Sequence, residues 1–319
     1  MVVAHPAYSP IRRQAQRERF AQMNSNGAEK PRFSLESAMF WQTTRFQIDL
    51  SQPRVMGIVN LTPDSFSDGG RHGDLSKALA HAQQLLAEGA DILDVGAEST
   101  RPGAQPVSEA EELARLLPFL REAVRWNVPI SIDTYKAAVM RQVLDLGVDI
   151  VNDIWALRQP GAEAAVVAHP SCGVCLMHMH REPQSMQTAP MTGDVLQEVK
   201  AFLESRVQAM TGQGVSSERI VLDPGVGFGK TVAQNLSLLA RQAEWQLQGF
   251  PVLAGWSRKS TLGAVLVQEG VVPAPGDRVH ASVAAALLAV DRGAHVVRVH
   301  DVQPTVDALK VWQALREHA

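Results

Sequence analysis

The chain has little of several things, and each shortage excludes a class of protein. It has two cysteines in 319 residues, too few for a disulfide framework and in keeping with a reducing compartment such as the cytoplasm. No apolar run approaches the ~18 residues of a membrane helix, so the expectation is a soluble protein with no membrane partner. A secretory signal, with its roughly 7–15 apolar residues, is absent as well. Aromatic residues make up 5% and the formal net charge is −3, so no global basic field argues for nucleic acid. What is there belongs to a folded chain, 45% apolar and 20% charged, which is neither disordered nor collagen-like. The length would suit two average domains, but α/β barrels of ~250 residues run as one.

Charge is unevenly spread. Residues 1–50 hold seven Lys/Arg against four Asp/Glu, so the remaining body is more acidic than the whole. An acidic body that handles an anionic substrate is expected to gather its positive charge at one site. Residues 1–43 are polar and Arg-rich without sustained periodicity, and are expected to be a poorly ordered extension. From residue 44 the chain changes character. The segment TRFQIDL alternates as a short strand, and 44–319 then reads as a single domain.

That domain repeats one unit: an apolar strand, a polar loop, an amphipathic helix. The strands are expected at 54–60, 91–95, 129–133, 149–153, 173–178, 219–223, 251–255 and 295–300. Helical patterns such as LSKALAHAQQLLAEG, SEAEELARLLPFLREAVR and DVLQEVKAFLESRVQAM lie between them. Near-continuous apolar strands imply burial on both faces, as in a parallel sheet. Eight such units predict a (β/α)8 barrel with its active site at the C-terminal ends of the strands. A doubly wound open sheet is the alternative, but it usually opens with a Gly-rich turn that is missing here.

The strand ends carry polar residues: Asn60, Asp94, Asp133, Asn152 with Asp153, His178, Asp223, Ser257 just past the seventh, and Arg298 with His300. Asp74 and Ser108 are read instead as helix N-caps. The loops LTPDSFSDGGRHGD, GAESTRPGAQP and PGVGFGKT are Gly-rich and long or distinctive for βα connections, which suits binding loops.

In order, the segments MGIVNLTPDSFSDGG, DVGAESTRPGA, SIDT, VNDI, CLMHM, LDPGVGFGK, GWSRKS and VRVHDV resemble the successive signatures of the dihydropteroate synthase family, from residue 54 to about 315. The resemblance implies a (β/α)8 barrel transferase of folate biosynthesis and a sulfonamide target. Such an enzyme joins 6-hydroxymethyl-7,8-dihydropterin diphosphate to 4-aminobenzoate, with Mg2+, and works as a homodimer. It further implies that Asp133, Asn152, Asp223, Lys259, Arg298, Met177 and Gly227 hold the pterin. Asn60, Thr100, Arg101, Arg298 and His300 would meet the diphosphate, with Asn60 also on the metal. Phe66, Pro102, Phe228 and Ser260 would line the aminobenzoate pocket. Arg298, His300, Lys259 and Asp133 are the catalytic candidates.

The residue types suit these roles. A buried carboxylate accepts N–H bonds from an amino-pyrimidine edge, and charged acceptors make the stronger bonds. Asn offers both a donor and an acceptor. Arg298 and His300, two apart on a strand, point to one face. A neutral Asn oxygen suits Mg2+ that keeps its waters and binds phosphate oxygens. Cys172, Cys175, His178 and His180 have the look of a zinc tetrad, but along one strand Cys172 would lie about 20 Å from His178, too far for one ion. PGVGFGKT is P-loop-like yet has Pro224 where the motif needs Gly. Two other functions compete. A methyltetrahydrofolate–corrinoid methyltransferase would share the pterin acids but have no use for a diphosphate site. A non-catalytic pterin-binding paralogue would retain the fold and pterin binding.

Overall fold

In the computed structural model the described residues are 39–62, 70–99, 105–182, 186 and 190–318. The strands among them are β1 (Phe40–Gln42), β2 (Gln47–Asp49), β3 (Arg54–Asn60), β4 (Ile92–Gly96), β5 (Ile130–Asp133), β6 (Ile150–Asp153), β7 (Gly173–Met177), β8 (Ile220–Asp223), β9 (Leu253–Ala254) and β10 (Val296–Val299). The helices are α1 (Gly70–Ala87), α2 (Glu109–Ala123), α3 (Ala137–Asp145), α4 (Ala162–Ala168), α5 (Val195–Thr211), α6 (Val232–Ala240), α7 (Gln242–Trp245), α8 (Ser260–Val265), α9 (Val279–Asp291) and α10 (Val302–Arg316). All eight expected barrel strands form. The parallel sheet runs β8-β7-β6-β5-β4-β3-β10-β9. A parallel bridge between Leu222 and Val252 joins its two edges and closes the barrel, with Leu222 N–H donating to Pro251 O at 2.9 Å.

Helix starts follow from local chemistry. Ser108 caps α2, its side chain accepting from Glu111 N, and three glutamates occupy the first turn, where the helix dipole favours them. Thr231 and Gln234 form a reciprocal capping box on α6. Asp74 is not a cap, because α1 starts at Gly70 and places it inside the helix.

Alternation along the strands divides the core in two. Outward residues such as Val55, Leu93, Ile132, Val174 and Val297 pack against the helices. Inward residues Met56, Ile92, Ile150, Cys175, Val221, Leu253 and Val296 fill the lower barrel. The period-2 reading puts polar residues one or two steps further along the same inward faces: Asn60 on β3, Asp94 on β4, Ser131 and Asp133 on β5, Asn152 on β6, Asp223 on β8 and Arg298 on β10. β3, β4, β6, β8 and β10 are thus apolar at the base and polar at the top of their inward faces, and β5 is polar at both of its inward positions.

The base is plugged by a hairpin that the sequence reading only half anticipated. β1 pairs antiparallel with β2, so Phe40–Gln42 belong with the barrel although they precede the expected boundary at 43/44. Trp41 is fully buried with Ile48 and Leu50 in the lower core, and its Nε1 donates to Arg219 O at 2.9 Å. Arg45 donates to the buried Asp149 through Nε at 3.0 Å and Nη2 at 2.5 Å.

Candidate active site

The polar strand ends converge on Arg298. Its Nε donates to Asp94 Oδ2 at 2.6 Å and its Nη2 to Asp133 Oδ2 at 2.8 Å. Asp94 Oδ2 also accepts Asn152 Nδ2 at 3.1 Å. Four strands, β4, β5, β6 and β10, therefore present their inward groups to one another. The arrangement revises one expectation. Positive charge does gather here, but it is not left free: a buried guanidinium without a counter-charge would be costly, and two carboxylates offset it. Burial pushes Asp133 up to about 7 against the pull of Arg298. The two aspartates raise Arg298 above its ordinary value, more than offsetting burial, which acts the other way.

Asp223 ends β8 on the same inward side and is buried, which raises its pKa. Its Oδ1 accepts Gly225 N–H at 2.7 Å. Gly225 turns the chain at φ +67°, and a Cβ there would lie 1.8 Å from His178 O, so only glycine fits. Lys259 faces this acid from the GWSRKS turn. Burial, with Arg298 nearby, lowers Lys259 to about 8. Its Nζ stands 4.3 Å from the Phe228 ring centroid, and Gly227 lies in contact range of its stem. Phe228 packs with Ile154, Met177, Met179 and Met186. Ser260 opens α8, exposed.

His300 lies beside the GWSRKS turn. Ser257 Oγ accepts the His300 backbone N–H at 3.1 Å and sits 3.0 Å from Nδ1. The hydroxyl can donate to Nδ1 or accept from it, since its oxygen has a second lone pair, so which ring nitrogen carries the proton follows the imidazole tautomer. Burial and Arg298 lower His300 to about 3, so the ring is neutral. The turn is held at Arg258, a non-glycine residue at φ +59°, by a two-bond fork onto Asp301 at 3.0 and 2.6 Å. That fork ties the neighbour of Lys259 to the neighbour of His300. Asn60 ends β3 half-buried.

Some expected residues fall elsewhere. Phe66, Thr100, Arg101 and Pro102 lie outside the described residues, as does most of the extension 1–43. Two polar strand ends serve local structure. Asp153 points away from Asn152, and its carboxylate accepts Trp155 N–H and Leu157 N–H, both at 2.8 Å. His178 packs edge-on to Phe202 at 4.9 Å, and burial lowers it to about 2. At the end of β7 it is Met177 that faces inward.

Sequence reasoning assigned no role to three groups. Asp94 was visible only as one polar strand end among many. Lys230 is buried, its Nζ donating to His178 O, Gly225 O and Phe228 O at 3.3, 2.8 and 3.2 Å. This is not what the P-loop likeness suggested: the lysine laces the loop after β8 to the end of β7. Glu98, just after β4, accepts Tyr135 Oη–H at 2.8 Å, Val107 N–H at 3.0 Å and Lys136 Nζ. Lys136 also reaches Glu112 at 2.5 Å.

The chain matches the family described as "Pterin binding enzyme" over residues 56–300. The dihydropteroate synthase of Neisseria meningitidis serogroup B is 50% identical over 280 residues, covering 86% of this chain and 97% of that protein. A crystal structure of Burkholderia cenocepacia dihydropteroate synthase complexed with 7,8-dihydropteroate is 49% identical with a TM-score of 0.79, covering 88% of this chain and 98% of the other. Xanthomonas albilineans dihydropteroate synthase with 4-aminobenzoic acid is 47% identical with a TM-score of 0.81, covering 88% and 99%. A closed parallel barrel, an arginine clasped between inward aspartates, and near-end-to-end similarity at about half identity agree: the chain belongs to the dihydropteroate synthases, transferases of folate biosynthesis.

Proposed function

We propose that the cluster around Arg298 is where this chain condenses 6-hydroxymethyl-7,8-dihydropterin diphosphate with 4-aminobenzoate, giving 7,8-dihydropteroate and diphosphate. The observation that carries this assignment is the clasp of Arg298 between Asp94 and Asp133, with Asp223 and Lys259 facing it. The bound product in the Burkholderia structure and the bound 4-aminobenzoic acid in the Xanthomonas structure support the ligand classes.

In this reading Asp133, Asp223 and Asn152 accept the N–H groups of the pterin edge, and Lys259 donates to it. Met177, Gly227 and the Arg298 plane bound the ring. Arg298, the His300 imidazole and, from the second loop, Thr100 and Arg101 meet the diphosphate. The C–O bond to the leaving diphosphate breaks first, leaving a resonance-stabilised pterin cation; the amine nitrogen then bonds the methylene carbon and gives up its proton to water. Charge develops on the departing oxygen, so a fixed guanidinium there lowers the barrier without reorganising. Phe228 with Phe66 and Pro102 walls the aminobenzoate ring, and Ser260 meets its carboxylate.

Mg2+ fits this site as a guest of the diphosphate. Among the described residues no group of three His, Cys, Asp or Glu could hold a metal. The single amide oxygen of Asn60 at the β3 end suits an ion that keeps waters and takes phosphate oxygens. When bound, the ion would neutralise charge on the leaving group. We read the chain further as a cytoplasmic homodimer built on one barrel domain behind the N-terminal extension. Exposed Leu288 on α9 and exposed Val311 and Leu315 on the neighbouring α10 support the dimer. Diphosphate release measured with both substrates, with and without Mg2+, tests the activity. Release that needs neither 4-aminobenzoate nor the ion would overturn it.

A further inference from the structure

We propose that Asp94 is a positioning residue for the reaction: it holds the Arg298 guanidinium in its working plane and fixes which atom of the Asn152 amide faces the ligand. The inference rests on the reading of the Arg298 cluster as the pterin site and deepens it. Asp94 is fully buried in the middle of β4, one inward step below the top of the barrel. A charge so placed needs a reason, because an ionised carboxylate taken out of water is costly unless it is paired. Its partners are both site residues. One oxygen, Oδ2, accepts Arg298 Nε at 2.6 Å and Asn152 Nδ2 at 3.1 Å. The other, Oδ1, is buried and has no hydrogen-bond partner among the described residues. The carboxylate is thus committed to aiming two neighbours.

The consequences are specific. An Asn amide can turn end for end, but a carboxylate only accepts, so Asp94 must take the NH2 end. That leaves Asn152 Oδ1 as the atom toward the pocket, where it can only accept. With Asp133 and Asp223, the inward acceptors then number three, and the donors include Lys259 and Arg298. The pocket selects a ring edge rich in N–H groups. For Arg298, Asp94 takes Nε while Asp133 takes Nη2. Two bonds from adjacent strands fix a planar group in both tilt and rotation, and its remaining N–H groups are aimed rather than free to swing. Asp94 itself makes no demand on the substrate.

The test is Asp94→Asn, nearly isosteric, introduced alone and into Arg298→Ala and Asn152→Leu backgrounds. Pterin affinity is read by calorimetry, turnover by diphosphate release and folding by urea unfolding. Alone, Asp94→Asn should weaken pterin binding and lower kcat each by roughly tenfold or more, with KM for 4-aminobenzoate changed less than threefold. In each background its further cost in pterin affinity should shrink, because a positioning residue has less to position. Equal, additive losses in both backgrounds would overturn the proposal. A crystal structure of the unmodified protein with bound pterin gives an answer that does not depend on any variant folding. It should show Asn152 Oδ1 toward a ligand N–H and Asp94 touching no ligand atom. Asp94 bonded directly to the pterin, or Asn152 turned round, would refute the role, while a pterin bound away from the cluster would remove the underlying site reading instead.

Discussion

Arg298→Ala separates two jobs that one side chain performs. The guanidinium is the shared partner of Asp94, which is fully buried, and Asp133, whose side chain is 14% exposed. Its removal leaves Asp94 with Asn152 alone and sets two carboxylates against each other in the barrel. Breaking a buried pair from one side costs about 3–5 kcal/mol, because the uncompensated charge remains. The loss should depend on pH in a definite direction. Asp133 is already raised to about 7 with Arg298 in place, and without it moves further above its unfolded value near 3.9. A carboxyl whose folded pKa is raised holds its proton more tightly folded than unfolded. Its contribution is present in acid and is lost as pH rises through the folded pKa. The deficit in urea unfolding should therefore be widest at about pH 8 and narrow by about pH 5.5. Turnover should fall ~10²–10³-fold, about 2.7–4 kcal/mol of barrier, from the loss of charge stabilisation at the leaving group. Arg298→Lys should recover only part of this, since an ammonium cannot satisfy Asp94 and Asp133 with one planar fork. Diphosphate release at saturating 4-aminobenzoate reads the chemistry separately from stability. Near-native kcat in Arg298→Ala would mean that the leaving group departs elsewhere, and a pH-independent stability gap would refute the electrostatic account.

Asp223→Ala should lose roughly 2–3 kcal/mol of pterin affinity by calorimetry while keeping a cooperative unfolding transition, because a ligand N–H is left unpaired; unchanged affinity would remove Asp223 from the pterin site. His178→Phe should make the protein less sensitive to acid. Burial lowers His178 to about 2, so between about pH 6.5 and 2 the unfolded chain takes a proton that the fold refuses, and the native protein loses about 1.4 kcal/mol per pH unit through this group. Chemical denaturation at pH 7 and 4.5 should show the variant keeping stability that the parent loses. Asp301→Ala frees Arg258 from the fork that holds its φ of +59°, and since Lys259 and His300 flank that pair, kcat should drop about tenfold with only ~1 kcal/mol lost in unfolding; loss in unfolding alone would mark the fork as structural.

The barrel was legible because its signal is repeated. Eight apolar runs separated by amphipathic stretches survive errors of a residue or two at each boundary, and all eight strands form where expected, give or take such shifts. The site was partly legible for the same reason: Asp133, Asn152, Asp223 and Arg298 share an inward face through simple alternation. What alternation does not tell is which polar end turns inward. Asp153 follows Asn152 directly and so points outward, where it ties down its own turn. His178 sits one residue past the inward Met177. Asp94 needed the partner strands, because its role lies in contacts 58 and 204 residues away in the chain. The β1 strand was missed because FWQ is too short for a pattern, and its reason to be extended is the barrel floor that Trp41 fills.

That floor has a consequence for the order of events as the chain is made. The β1–β2 hairpin leaves the ribosome before any barrel strand, yet its long-range partners come much later. Thr44 Oγ1 donates to Val148 O at 2.8 Å, Arg45 grips Asp149, and Trp41 donates to Arg219 O. Gly173, whose lack of a side chain leaves room for the Trp41 indole, lies between them in sequence. For the time it takes to translate some 178 residues between Trp41 and Arg219, the indole has no seat. A nascent chain therefore carries an undocked tryptophan until most of its strands exist, and burial of Trp41 is a late event of synthesis although the residue is among the first of the barrel domain to emerge.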